Sequence, residues 1–326
     1  MKKVIWILID DRMGSVGQAK GIVQFLNRDN LEIIEKKIVY NKWARIPNFL
    51  KINKLWGVNK VVSDNLFAPY PDAVMSISRR TAPIARHIKK QTKGKCKIIQ
   101  LMKLENWEAK AFDLLVVPKH DETKIDLPQV EYITGCTHRI TQETLAEANE
   151  KWRKEFEKLP KPLTAVIVGG GIKGKPFSLE NASLFGDAVK NIWKKNGGSL
   201  LITTSRRTGK EAENIIMKAL ENIPSYAFLW GDKRENPYMG FMACADRIIV
   251  TGDSVSMCSE SCGTQKPVLI FRGRNWLKSK HLKFCQTFFD AGYACPIEDE
   301  KSNSFVPKTY VNPSEVVAEK IHQIIG

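Results

Sequence analysis

Short apolar runs alternate along this chain with loops rich in Gly, Ser and Asp and with amphipathic stretches. "VIWILI" gives way to "DDRMGSVG" and then to helical periodicity from about Gln18 to Asn27. "LEIIEKKIV", "CKIIQL", "FDLLVVP" and "VEYIT" read as strands. "DAVMSI" leads through Ser78-Arg79-Arg80-Thr81 into a helix that reaches about Lys90. Residues 141–159 predict a polar helix capped by Thr141 and broken by "PKP" at 160–162. The pattern then restarts. "TAVIVGG" precedes "GIKGKPFS" and a helix, and "SLLITT" precedes Ser205-Arg206-Arg207-Thr208 and a helix. "YAFLW", "RIIVTGDS", the helix "VSMCSESCG", "KPVLIF" and a closing amphipathic helix "SEVVAEKIHQII" complete the series.

Strands that alternate with helices and read as continuous apolar runs belong in parallel sheets covered on both faces. The expected fold class is therefore α/β, with two Rossmann-like lobes whose parallel sheets face a cleft. The expected division is 1–160 and 161–326, with the final helix able to pack back on the first lobe. Ligands in such sheets bind beyond the carboxyl ends of the strands, where each loop leads into a helix.

Charge narrows the choice of partner. The 326 residues carry a formal +16, of which residues 1–103 hold +14. So uneven a field suits nucleic acid, an acidic membrane or a phosphorylated substrate. The seven cysteines form no CxxC pair, which fits reduced thiols; Cys258 and Cys262 read as packing residues, and no metal site is expected. "MKKVIWILIDDR" has too short an apolar run for a secretion signal, so a cytoplasmic protein is expected, peripheral to a membrane at most.

The chemistry sits in the loops. In "GGGIKGKPFS", Gly170 and Gly171 allow close backbone approach, and Lys173 adds charge, so backbone N–H groups there suit a phosphate. It is neither a Walker sequence nor GxGxxG. "TGDSVSMCSESCG" places Asp253, Ser254 and Ser256 at a strand end and Glu260 in the following helix. A carboxylate there can accept both hydroxyls of a ribose while serines and N–H groups face its phosphates. Asn236 and Pro237 open a further helix, and Tyr238 beside them suits either core or ligand. In the first half Asp10, Asp11, Gln18, and His120 with Asp121 fall at strand ends, where a carboxylate or imidazole can take a proton from a hydroxyl. The stretch Lys42–Lys60 has five basic residues, no acids, and Trp43, Phe49, Leu50 and Trp56. That mixture suits an anionic membrane surface or, equally, packing on its own sheet. No RNP or helix-turn-helix pattern occurs, and no nucleic acid is expected.

"PDAVMSISRRTAP", "FDLLVVPKHD", "TGCTHRIT", "LLITTSRRT", "ENPYMGFMACAD" and "VTGDSVSMCSESCGTQKPVLIF" together resemble the Elm-type mitochondrial fission family. That family also holds bacterial proteins associated with glycosyl transfer to the lipooligosaccharide outer core. The resemblance implies a GT-B-like glycosyltransferase without metal or cofactor, its first lobe facing the acceptor and its second binding a nucleotide-sugar donor. It implies donor contacts from Gly170, Gly171, Lys173, Ser205, Arg206, Arg207, Asn236, Asp253, Ser254, Ser256 and Glu260. Arg79, Arg80 and Gln18 would hold an acceptor or phosphate, and Asp11, His120 and Asp121 would supply the base. The acceptor implied is a lipooligosaccharide core or related glycolipid. One arginine of each SRRT pair is expected to be spent on a salt bridge within its own lobe. Members often carry a Gly-His pair after the first strand, whereas this chain has Gly14-Ser15, leaving the base to the other candidates. The plant branch implies an alternative, a non-catalytic adaptor at a membrane. An NAD-dependent epimerase would need a dinucleotide fingerprint and a Tyr-x-x-x-Lys pair, and neither is present.

Overall fold

The computed structural model describes residues 2–10, 13–46, 55–121 and 127–326, which form two compact units. The first comprises Met1–Arg139 with Asn312–Gly326, the second Ile140–Val311.

In the first unit the elements run β1 (Lys3–Ile9), α1 (Met13–Phe25), β2 (Leu31–Lys37), β3 (Ala73–Ser76), α2 (Ala82–Gln91), β4 (Lys97–Leu101), α3 (Asn106–Ala109), β5 (Leu114–Pro118) and β6 (Val130–Ile133). The six strands are parallel in the order β2-β1-β3-β4-β5-β6. Alternate strand residues feed two cores. Trp6, Leu8, Val74, Ile98 and Val117 pack with α2, while Ile5, Ile7, Met75, Ile99 and Val116 pack with α1. This is why the strands read as unbroken apolar runs.

The second unit begins with α4 (Gln142–Phe156) and continues β7 (Leu163–Val168), α5 (Leu179–Asn196), β8 (Ser199–Thr204), α6 (Lys210–Ala219), β9 (Ser225–Phe228) and α7 (Tyr238–Cys244). It ends with β10 (Arg247–Thr251), α8 (Val255–Gly263), β11 (Val268–Phe271), α9 (Ser279–Asp290) and β12 (Cys295–Pro296). Its sheet is parallel too, ordered β12-β11-β10-β7-β8-β9. Counted from its own first strand this is the 3-2-1-4-5-6 order, which reverses direction between β7 and β10.

The units divide at Arg139 rather than near Lys161. The helix α4, expected at the end of the first lobe, is a member of the second: Phe156 is fully buried in that core, stacked on Trp152 and packed against Tyr226 and Phe241. Thr141 does cap it, in a reciprocal pair with Thr144. The last helix, α10 (Pro313–Ile325), buries Val317, Ala318 and Ile321 in the first unit beside α1. A Ser314 clamp fixes it there: Oγ accepts from the His138 N–H and donates to the His138 carbonyl, both at 2.8 Å. Gly21 makes room, since a Cβ on it would stand 2.2 Å from the His138 carbonyl oxygen.

Candidate functional site

The switch point of the second sheet gathers three loops. Gly169-Gly170-Gly171 leaves β7, Gly252-Asp253-Ser254 leaves β10, and Ser205-Arg206-Arg207-Thr208 leaves β8 and lies back over the end of β7. Backbone hydrogen bonds hold the three together. The Gly169 N–H donates to Thr251 Oγ1 at 2.7 Å, the Gly170 N–H to Asp253 Oδ2 at 2.9 Å, and the Gly171 N–H to the Arg207 carbonyl at 2.7 Å. The fit leaves no space for a side chain. A Cβ on Gly170, where φ is +150°, would meet the Arg207 carbonyl at 2.1 Å, and one on Gly169 would meet Asp253 Oδ1 at 2.2 Å. These glycines are required by the neighbouring turn. Their amides, expected to cradle a phosphate, are spent inside the protein.

Asp253 is the keystone rather than a ligand contact. Its side chain has 0% exposure and is filled by Gly170 N–H, Thr251 Oγ1 at 2.8 Å and Arg207 Nη1 at 2.8 Å. Burial pushes its pKa up, and Arg207 and the hydrogen bonds pull the other way. Arg207 also donates to the Gly171 carbonyl at 3.0 Å. Arg206, one residue earlier, is exposed and has no hydrogen bond or ion pair among the described residues. The duplicated arginine thus divides in role, one structural and one presented to solvent.

The first unit repeats the turn and its aspartate-paired second arginine. Ser78 N–H donates to Thr81 Oγ1 at 3.0 Å, matching Ser205 N–H to Thr208 Oγ1 at 3.0 Å. The second arginine again meets a buried aspartate, Arg80 Nη2 to Asp10 Oδ2 at 3.2 Å, and its guanidinium lies 4.5 Å from the Tyr40 ring centre. Arg79 is exposed. The two copies are not at equivalent strands, however. SRRT follows the third strand of the first sheet, directly at its β1/β3 switch point, but the second strand of the other sheet, one strand away from the switch.

The other expected donor residues fall around the same edge of the second sheet. Ser254 caps α8, its Oγ accepting from the Met257 N–H at 3.4 Å, so the positive end of that helix opens at the switch point. Ser256 is half-buried in its first turn. Ser259 and Ser261, which thickened the serine signal in the sequence, are buried and donate back to the Val255 and Met257 carbonyls. Glu260 is half-buried and its Oε2 accepts the Tyr238 hydroxyl at 2.6 Å. Asn236, before the Pro237 N-cap of α7, accepts the Tyr238 N–H through Oδ1 at 3.0 Å. Ser205 Oγ donates to the Gly169 carbonyl at 2.5 Å, and Lys173 is exposed in the turn beyond the glycines. Thr251 escaped the sequence reading, which also left Tyr238 open between core and ligand. They lie 82 and 22 residues from the groups they bond, and only the sheet order joins them.

The described base candidates of the first unit, His120 and Asp121, are buried and half-buried. His120 sits in a 3-10 turn after β5 with its side chain 3% exposed, and Nε2 is 3.9 Å from Asp121 Oδ2, beyond hydrogen-bond range. Asp121 is half-buried, Gln18 lies half-buried on α1, and Asp11 falls outside the described residues. Among the described residues no group of three or more His, Cys, Asp or Glu could hold a metal ion.

Two units, each a parallel Rossmann-like α/β sheet, give the chain a GT-B-like fold. By sequence the chain belongs to the mitochondrial fission ELM1 family, whose pattern matches residues 13–325. It is 28% identical over 317 residues to an uncharacterized protein of Rickettsia prowazekii, covering 86% of this chain and 87% of that one. It is 29% identical over 243 residues to the mitochondrial fission protein ELM1 of Arabidopsis thaliana, covering 68% of this chain but 56% of the plant protein. By structure it is similar to a crystal structure assigned as a UDP-N-acetylglucosamine 2-epimerase from Listeria monocytogenes, with TM-score 0.61, 12% identity, and 100% and 96% of the two chains covered. A UDP-GlcNAc 2-epimerase from Neisseria meningitidis bound to UDP-GlcNAc gives TM-score 0.53 at 15% identity, covering 99% and 100%. At such identities the likeness is one of fold.

Proposed function

We propose that this protein is a glycosyltransferase that transfers a sugar from a nucleotide-sugar to a lipooligosaccharide core or related glycolipid at the inner face of a membrane, without a metal ion. The observation that carries the reading is Arg206, an exposed cation adjacent in sequence to Arg207, whose guanidinium pairs with the buried Asp253 just before the Ser254 cap of α8. In the reaction the acceptor oxygen forms a bond to the anomeric carbon as the bond to the diphosphate breaks. Negative charge grows on the departing diphosphate, and fixed cations and helix dipoles stabilise it. Arg206 and Lys173 supply cations and α8 its dipole. Glu260, oriented by Tyr238, accepts the ribose hydroxyls. The acceptor's proton goes to the first unit, to Asp11 or to Asp121 beside His120, and Arg79 and Gln18 hold an anionic group of the acceptor.

Calorimetry with UDP, GDP, CMP and their sugars tests this, with UDP and UDP-GlcNAc first, the latter being the ligand of the Neisseria neighbour. Binding of one nucleotide that weakens in Arg206→Ala is the expected result; absence of binding across the panel refutes it. The likeness to the plant fission protein favours a second reading, a membrane adaptor on the same scaffold. Nucleotide-sugar that binds but is never turned over in the presence of glycolipid extract selects the adaptor.

A further inference from the structure

Between β2 and β3 the described residues 39–41 pair with 57–59 as a short arm; residues 47–54 of the Lys42–Lys60 stretch, with Phe49 and Leu50, lie outside the described residues. Asn41 N–H donates to the Gly57 carbonyl at 3.0 Å, Asn59 N–H to the Val39 carbonyl at 2.9 Å, and Tyr40 bridges to Val58. Leu55, Val58 and Leu66 are buried in the first unit's core and anchor the arm there, so the expected packing on its own sheet is real, and Ala44 is buried against Gly57 of the arm. Other apolar side chains of the arm are left in solvent. Trp43 and Trp56 are 47% and 46% exposed and stack on one another, with ring centres 6.0 Å apart at 12°. Val61 is 92% exposed, and Val62 and Phe67 also project. Five of the twelve exposed large hydrophobic residues among the described residues therefore fall within residues 43–67.

Charge accompanies them. Residues 36–67 hold seven Lys and Arg against a single acid, Asp64. Asp64 is exposed, and its Oδ2 accepts the Lys37 N–H at 2.6 Å. Lys42 lies 5.6 Å from the Trp43 ring centre.

We propose that this arm docks on an anionic phospholipid surface, Trp43, Trp56, Val61, Val62 and Phe67 entering the headgroup boundary while Lys42 and Lys60 pair with lipid charge. Tryptophan is suited to that boundary, having a large apolar body with one polar N–H, and basic side chains can bury their stems while their charges stay at the headgroups. A protein partner would more commonly meet an apolar centre depleted of lysine. The inference deepens the proposed function by giving its glycolipid acceptor a place of delivery. It rests on that reading there alone, because lipid binding and nucleotide binding can fail separately.

The test is co-sedimentation of the full chain with phosphatidylcholine vesicles, with and without phosphatidylglycerol. The expected result is binding to the anionic vesicles that weakens with salt. Lys42→Glu/Lys60→Glu should lower partition more than about tenfold, taking ~1 kcal/mol per basic residue. Trp43→Ala/Trp56→Ala should lower it on the order of tenfold with unchanged thermal unfolding. Nucleotide calorimetry on the same variants should match the parent, which separates this result from failure of the donor site. No sedimentation of the parent, or sedimentation of either variant equal to the parent's, overturns the proposal. Sedimentation velocity showing a dimer that the tryptophan variant loses, without lipid binding, assigns the arm to a second copy and also overturns it.

Discussion

Replacing Arg206 and Arg207 one at a time should give opposite phenotypes, although they are adjacent and chemically identical. Arg207 reaches a carboxylate with no exposure, at 2.8 Å, and the Gly171 carbonyl at 3.0 Å. Arg207→Ala leaves Asp253 with Thr251 and the Gly170 N–H alone. Breaking a fully buried pair costs about 3–5 kcal/mol. Arg207 is 39% exposed, so water replaces part of what is lost and about 2 kcal/mol is the expected destabilisation. For a unit of this size that lowers Tm by roughly 4–8 °C. Adding Asp253→Asn should recover much of the loss, because the buried charge then disappears with its partner. Since burial holds the Asp253 pKa up, and removal of Arg207 raises it further, the native state takes up a proton more readily than the unfolded chain. The penalty of Arg207→Ala should therefore shrink as pH falls from neutral through that raised pKa. Arg206→Ala breaks no contact among the described residues and should change stability by less than about 0.5 kcal/mol. It removes a charged hydrogen bond to diphosphate of about 1.5–3 kcal/mol, so nucleotide affinity should fall by roughly 10–100-fold. Thermal unfolding and calorimetry on the two variants and the double variant decide the matter. Equal Tm losses for Arg206→Ala and Arg207→Ala, or full nucleotide affinity in Arg206→Ala, refute the division of labour.

Gly170→Ala should destabilise the second unit by about 3 kcal/mol, combining strain at positive φ with overpacking against the Arg207 carbonyl, and denaturant titration measures it. Tyr238→Phe removes the donor to Glu260 and should weaken nucleotide binding by about tenfold or less, read by calorimetry; an unchanged affinity takes Glu260 out of the ribose role. His138 is buried and its pKa is lowered from 6.5 to about 4, so the unfolded chain binds a proton that the native state refuses. About 3 kcal/mol of stability should be lost as pH falls from 6.5 to about 4, and His138→Gln should flatten that part of the pH–stability curve.

The sequence by itself determined the elements and their class. Apolar runs such as "LTAVIV" and "SLLITT" are buried at every position, and that demand is met by a parallel sheet covered on both faces. Ser178, Ser254 and Thr141 cap the helices they precede because a side-chain oxygen next to the first turn satisfies an otherwise open N–H, a strictly local effect. Tertiary structure alone decided which long-range groups meet. The order β7-β10 at the switch point brings Asp253 to Gly170 and Arg207, and nothing local marks that arrangement. The same is true of Tyr238 meeting Glu260, and of α4 joining the second unit rather than the first. Apolar periodicity fixes which face of an element must be buried, but the partner against which it is buried depends on chain crossings that no neighbouring residue encodes. For that reason two arginines indistinguishable in sequence became, once folded, a lock and an exposed charge.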